Sequence, residues 1–184
     1  MLKKLILASS ILAVCGVAVA SPANPAPYVG AGLGLTNNYA NVHGNSVGTY
    51  RGVPFKLLAG YGGLVDPSVY LAGEISATPG TVNISNNHGL KTSYGFGASV
   101  IPGLMLTDHT MAFARAGVVD ARFTQAKKTR VGGEFGLGMQ TSLTQCVDVR
   151  GEYDFVSYRH INVGSTHVSP RADQVAVDFI YNIG

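Results

Sequence analysis

The sequence has few charged residues and no long apolar segment after residue 20. Charged side chains make up 12% of the chain, whereas an ordinary soluble domain carries about 25%. No apolar run beyond residue 20 reaches the ~20 residues that a membrane-spanning helix needs. Glycine, by contrast, is abundant, with 24 residues. Low charge and many glycines without a helical span favour strands that contact lipid on one face.

The first 20 residues are typical of a secretory signal peptide. Lys3 and Lys4 precede the apolar run Leu5–Val19, and Ala18–Ala20 forms an A-x-A cleavage site. Acylation at Cys15, as in lipoproteins, is an alternative that fits the surrounding residues less well. We therefore expect a signal peptide at residues 1–20 and one domain at residues 21–184.

Cysteine and net charge exclude two further classes of protein. Cleavage after Ala20 would leave Cys146 as the single cysteine, so the mature chain could form no intramolecular disulfide. Removing the two lysines of the leader from 13 basic residues leaves 11 against ten acidic ones. A net charge of about +1 argues against nucleic acid as a partner.

Eight segments alternate apolar and less apolar residues with a period of two, which is the pattern of half-buried strands. They are Tyr28–Leu35, Arg51–Gly62, Val69–Ala77, Thr92–Leu106, Met111–Val119, Arg130–Leu143, Val147–Phe155 and Val175–Ile183. The gaps between them are alternately long and polar, then short. Outer-membrane barrels of bacteria have an even strand number, short periplasmic turns and long external loops. The sequence predicts an all-β fold, an eight-stranded antiparallel transmembrane β-barrel of up-and-down topology, in which the last strand pairs with the first.

The distribution of charge predicts which face of the barrel is outside. Eight charged residues of the strands share the less apolar parity, whereas Tyr61, Tyr94, Tyr153 and Tyr181 lie on the apolar face, as in an aromatic girdle. A soluble, lipocalin-type barrel with its apolar face inside is the alternative. We expect a network of charges in the lumen, formed by Lys56, Glu74, Arg115, Glu134, Arg150, Glu152, Asp154 and Asp178.

The lumen network has two interpretations. Eight strands enclose an interior that side chains can fill, so the charges would form a plug of salt bridges. Inward glycines such as Gly32 and Gly136 leave room for large neighbours or water, which keeps a narrow channel as the alternative.

The polar gaps offer weaker candidates for chemistry. The histidines His43, His88, His160 and His167 fit no compact ligand motif, so we expect no metal or other cofactor. His160, Asn162 and Ser165 raise a lipid A-modifying enzyme as a further alternative. The basic segment Arg122–Arg130 suits lipopolysaccharide head groups or an acidic host surface.

Four segments carry a resemblance to a known family. Val147–Phe155 resembles the penultimate strand of small outer-membrane barrels, Tyr158–Gly164 their last loop and Val175–Ile183 their closing strand; Tyr28–Gly34 is similar to their first strand. The family is the outer-membrane protein A/X-like group. The chain departs from it by ending in Ile183–Gly184 rather than in an aromatic residue, and by having no peptidoglycan-binding domain.

Together these features predict a non-enzymatic protein of the bacterial outer membrane, with a structural or surface-adhesion role through its external loops. The expected partners are outer-membrane lipid and lipopolysaccharide, with a host or cell-surface ligand at the loops. We expect a monomer.

Overall fold

The computed structural model describes residues 25–42, 45–87, 92–123, 128–159, 161–163 and 166–183. The described residues form nine strands. The strands are β1 (Ala26–Val42), β2 (Asn45–Asp66), β3 (Val69–Asn87), β4 (Thr92–Thr107), β5 (Thr110–Phe123), β6 (Lys128–Ser142), β7 (Val147–Tyr158), β8 (Ile161–Val163) and β9 (Thr166–Asn182). The predicted leader at residues 1–20 lies outside the described residues.

Eight of these strands close into an antiparallel barrel, as predicted. Strands β1 to β7 follow one another in the sheet, β9 comes next, and β9 also pairs with β1. Val29 lies opposite Tyr181 and Leu35 opposite Val175, so the first and last strands join as the sequence indicated. The ninth strand, β8, is a three-residue strand that pairs with β9 outside the barrel sheet. Among the described residues, no helix is long and apolar enough to cross a membrane.

The connections differ from the prediction at one end of the barrel. At the turn side, which also holds Ala26 and Asn182, the connections after Asp66, Thr107 and Ser142 are short, as predicted. At the opposite, loop side, the prediction of a polar loop at residues 37–49 was wrong, because β1 and β2 stay paired up to Val42 and Asn45. Residues 78–87 likewise continue β3. Polar composition therefore does not end these strands, because the pairing between them is made by backbone hydrogen bonds.

The apolar face lies outside, which excludes the lipocalin-type alternative. Leu33, Ile75, Phe96 and Leu137 are each about 60% exposed, whereas inward residues on the same strands are buried. The predicted girdle residues Tyr61 and Tyr181 lie near the turn side, and Tyr94 and Tyr153 lie nearer the loop side. The barrel therefore presents an apolar belt with tyrosines towards both of its edges.

Candidate functional site

The structure places all eight residues of the predicted network on the inner face of the barrel. Seven of them are at most 5% exposed, and Glu134 is half-buried. They come from six strands, because each strand points every second side chain inward. The pattern follows from β-strand geometry alone, whereas the contacts among the eight side chains depend on how the strands are staggered.

Two arginines and Glu74 form the centre of the network. Arg115 Nη2 donates to Glu74 Oε1 at 2.7 Å and to Glu152 Oε2 at 2.9 Å. Arg150 Nη1 donates to Glu74 Oε2 at 2.6 Å. All four side chains are fully buried. Glu74 thus holds together strands β3, β5 and β7, with charge-assisted hydrogen bonds that are stronger than neutral ones.

The third cation, Lys56 on β2, joins this centre through Glu152. Its Nζ donates to Glu152 Oε1 and lies 3.6 Å from Asp178 Oδ2. Asp154 also joins the network, with its Oδ1 atom 3.7 Å from Arg115 Nε, whereas Glu134 makes no ion pair within 4.0 Å with a described residue. The network therefore includes ion pairs from all three basic residues that the sequence assigned to the lumen.

Inward glycines separate several of the interacting pairs. Gly60 lies between Tyr28 and Glu74 in the sheet register, and Gly136 lies between Arg115 and Asp154. A Cβ atom at Gly60 would come within 2.3 Å of the Tyr28 ring, and one at Gly136 within 2.1 Å of Asp154 Oδ1. Two residues on alternate strands can meet because the strand between them carries no side chain at that level.

Five polar residues belong to the network although the sequence did not assign them to it. Tyr28 donates to Glu74 at 3.0 Å, and Arg115 donates to Ser99 at 2.9 Å. A second chain of hydrogen bonds extends towards the turn side, where Arg150 donates to Gln140, and Gln140 and Asn182 both donate to Asp148. A signal for Asp148 was present in the sequence, because it has the same parity as Arg150 two residues later.

The interior carries more negative than positive charge. Including Asp148, the inner face holds six carboxylates against four basic residues, which are Lys56, Arg115, Arg150 and the half-buried Arg130 on the loop side. Neither carboxylate oxygen of Asp154 or Asp178 accepts a hydrogen bond from a described residue. The excess makes the lumen attractive to cations and unfavourable for anions.

Apolar packing closes the turn-side half of the barrel. Tyr28, Leu58, Ile101, Met111 and Phe113 belong to one buried cluster there. The Arg150 guanidinium lies over the Phe113 ring, 5.1 Å from its centroid, and 5.8 Å from that of Tyr28. This arrangement joins the charge network to the apolar cluster through cation–π contacts. On the loop side, a polar cavity of about 60 Å³ remains, bounded by residues that include Lys56 and Glu134.

The candidates for other chemistry fall largely outside the described part of the chain. His43, His88, His160 and Ser165 are not among the described residues, and Asn162 is opposite His167 in the β8–β9 hairpin. Within the described residues, no group of three or more His, Cys, Asp or Glu side chains could hold a metal ion. The basic segment at residues 122–130 is described only at its two ends, in β5 and β6.

Comparison with known proteins identifies the barrel type. No protein-family model and no curated protein matches the sequence. Neisserial surface protein A is similar in structure, with a TM-score of 0.56 and 17% identity over 85% of this chain and 97% of that one. The outer membrane protein OprG of Pseudomonas aeruginosa is also similar, with a TM-score of 0.47 and 9% identity over 89% of this chain and 99% of that one. Ail of Yersinia pestis, solved in complex with the heparin analogue sucrose octasulfate, has a TM-score of 0.46 and 11% identity over 85% of this chain and 99% of that one. The chain has the fold of a small outer-membrane β-barrel.

Proposed function

We propose that this chain is a non-enzymatic protein of the bacterial outer membrane, related to the outer-membrane protein A/X-like group, whose barrel anchors polar hairpins at the cell surface. The supporting features are the fold, the exposed apolar belt and the closed interior. The hairpins then serve surface adhesion or interaction, and the barrel contributes to membrane integrity. We propose that it acts as a monomer without a cofactor.

The observation that carries this proposal is the way in which the interior is filled. Arg115, Arg150 and Asp178 are inaccessible to solvent, and the apolar cluster around Phe113 occupies the level below them. An eight-stranded barrel has no further space for a wide water path once such side chains meet across it. The interior thus favours a rigid anchor over a channel, and it leaves the loop side for interaction.

The outward residues at the loop side support contact with anionic partners. At the loop-side edge of the apolar belt, three exposed arginines lie on the outer face. They are Arg51 on β2, Arg122 on β5 and Arg171 on β9. Arg122 donates to the Tyr94 hydroxyl at 3.3 Å, and its guanidinium lies 5.8 Å from the centre of that ring. Arginines at this level would meet the phosphates of lipopolysaccharide head groups, for which their planar, multiply donating groups are suited.

The decisive experiment compares two shortened variants in live bacteria that express the chain. In the first, residues 39–49 are replaced by Asn-Gly, which can connect Asn38 to its partner Tyr50 as a tight hairpin. In the second, the matched control, Pro67-Ser68 at the turn side is replaced by the same dipeptide. We expect both proteins in the outer-membrane fraction. Adhesion to heparin-coated and to host-cell surfaces should fall in the first variant and persist in the control.

Three outcomes would contradict the proposal. Equal adhesion of wild type, both variants and cells without the protein would exclude a surface role for the β1–β2 hairpin. Steady single-channel conductance of the purified protein in planar bilayers, unchanged in both variants, would favour the narrow channel instead. Altered lipid A mass spectra that depend on His160 would favour the enzyme.

A further inference from the structure

The barrel wall is incomplete between β3 and β4 on the loop side. Their register ends at Thr78, which lies opposite Gly95. Beyond this point β3 continues to Asn87 but pairs with β2, while the first residues of β4 pair with β5, beginning with Thr92 opposite Phe123. Residues 79–81 and 92–94 therefore have no partners across the β3–β4 boundary in the described register.

The local sequence explains why the pairing stops there. Pro79 has no backbone N–H and cannot donate a hydrogen bond to β4. The register between β2 and β3 also shifts at this point, since Phe55 lies opposite Gly80 but Leu57 lies opposite Ala77. Such a bulge bends one strand relative to its neighbours. As a result, β3 stays with β2 on the loop side.

A polar cavity and an apolar groove lie on the two sides of this part of the wall. The cavity in the lumen is lined by Thr36, Thr78, Thr81 and Gln174 and includes Lys56 and Glu134. The groove on the lipid side is lined mainly by Leu57, Ala59, Ile75, Ala77 and Phe96. Both also include Ser76 and Gly97, which are opposite each other in the sheet. The paired backbones of these two residues form the wall between the cavity and the groove, with only a hydroxymethyl group and a hydrogen atom as side chains, and the β3–β4 pairing continues through Ala77–Phe96 to end at Thr78–Gly95.

The polar groups of the cavity favour a particular head group. Lys56 is engaged by Glu152, with Asp178 nearby. The Oε2 atom of Glu134 is buried and accepts no hydrogen bond from a described residue. A carboxylate oxygen in this position is best satisfied by a cationic donor, and an ammonium group brings three N–H donors. A cavity of about 60 Å³ admits roughly five waters, or a head group of similar size, at ~10–15 Å³ for each water.

We propose that the break between β3 and β4 is a lateral opening that binds a single-chain amphiphile with a primary ammonium head group. The hydrocarbon chain lies in the groove beside Ala77 and Phe96, and the ammonium group enters the lumen beyond the Thr78–Gly95 pair, where the pairing ends, to reach Glu134. This inference rests on the proposed placement in a membrane but not on the proposed surface role of the hairpins. It gives the loop-side lumen a ligand of its own.

The inference can be tested with isotopically labelled protein in phosphatidylcholine nanodiscs. Dodecylamine is the probe, and dodecanol and dodecyltrimethylammonium have the same chain but lack the ammonium donors. We expect saturable amide shifts at Ser76, Gly97 and Glu134 with dodecylamine and about tenfold weaker binding of the other two, as for loss of a charge-assisted hydrogen bond. Unsaturable shifts along the whole apolar belt, equal for the three probes, would overturn the inference.

Two variants separate the chain site from the head-group site. Ala77→Phe fills the groove, and Ala116→Phe places the same bulk on the exposed face of β5 as the matched control. Glu134→Gln removes the acceptor charge. We expect Ala77→Phe to weaken all three probes and Glu134→Gln to weaken dodecylamine to the level of dodecanol, with Ala116→Phe unchanged. Equal behaviour of the two phenylalanine variants would overturn the site, and failure of the folded protein to insert into nanodiscs would overturn the membrane placement and this inference together.

Discussion

Lys56 and Asp178 face each other across Gly32, with Lys56 Nζ 3.6 Å from Asp178 Oδ2. Gly32 lies opposite both residues in the sheet, Lys56 on β2 and Asp178 on β9. The strand between the two charged side chains is β1, and at this level it carries no side chain. The barrel closes where β1 pairs with β9. At this same place Gly32 allows the opposite charges of Lys56 and Asp178 to approach each other.

Gly32→Ala is expected to destabilise the barrel. An added Cβ would lie 1.9 Å from Asp178 Oδ1 and 2.6 Å from the backbone oxygen of Val177. Displacing a buried carboxylate and part of a strand corresponds to overpacking, which costs about 1–3 kcal/mol. Urea unfolding in detergent micelles measures the free energy of unfolding. The control is Gly73→Ala, where a Cβ meets nothing within 4 Å; equal stability of the two variants would contradict the proposed close packing at Gly32.

Glu74→Ala is expected to have a larger effect than Tyr28→Phe. Glu74 accepts hydrogen bonds from Arg115, Arg150 and Tyr28, so its loss leaves two guanidinium groups without their shared carboxylate. Removing one partner of a buried ion pair costs about 3–5 kcal/mol. Tyr28→Phe deletes one hydrogen bond to a carboxylate, a loss of roughly 1.5–3 kcal/mol. The midpoint of heat-induced loss of the compact gel band ranks the variants, and a reversed ranking would remove Glu74 from the centre of the network.

Lys56→Met is expected to be partly rescued by Asp178→Asn. The single substitution leaves Asp178 buried without its nearby cation, whereas the double variant also removes the carboxylate charge. Residues in one salt-bridge network have coupling energies of about 0.5–3 kcal/mol. A double-mutant cycle of unfolding free energies measures this coupling. Strictly additive effects would show that the two side chains do not interact across Gly32.

A charge on the outer face should be costly near the middle of the apolar belt and tolerated at its edge. Leu137 is 62% exposed on β6, and Val65 is 63% exposed close to the turn after β2. In a bilayer, arginine costs about 2–4 kcal/mol at the midplane and about 0–1 near the interface. Refolding yield into lipid vesicles compares Leu137→Arg with Val65→Arg. Because both positions have equal exposure, equal yields would indicate that the outer face contacts water.

The sequence predicted the class of fold and the inner face well, because both follow from short-range geometry. Successive residues of a strand point to opposite sides, so the parity of Lys56 or Arg150 places each on the same face as other charged residues. Parity gives no distances. That Glu74 contacts two arginines, and that Tyr28 and Ser99 join them, depends on the stagger between strands that are far apart in the chain.

The ends of the strands were predicted less well on the loop side. Residues 37–49 contain too few apolar residues to show a buried face, and their composition is typical of a loop. The structure keeps residues 37–42 and 45–49 paired because strands that continue beyond the apolar belt need backbone hydrogen bonds but no apolar face. The break after Thr78 was similarly hidden, since Pro79-Gly80 indicates a turn in sequence but lies inside β3.

The alternation of eight strands, the common parity of the eight lumen charges and the match between the last strand and the first can all be read from the amino-acid sequence. These properties are local, because each depends on the two-residue period of a strand and on the lengths of the gaps. The tertiary structure alone decided which charges meet, since contacts across the lumen depend on strand stagger and on glycines such as Gly32 and Gly136 at matching levels. The tertiary structure also shows where the wall opens. The pairing of β3 with β4 ends at Thr78, because Pro79 and the bulge around it keep the rest of β3 with β2.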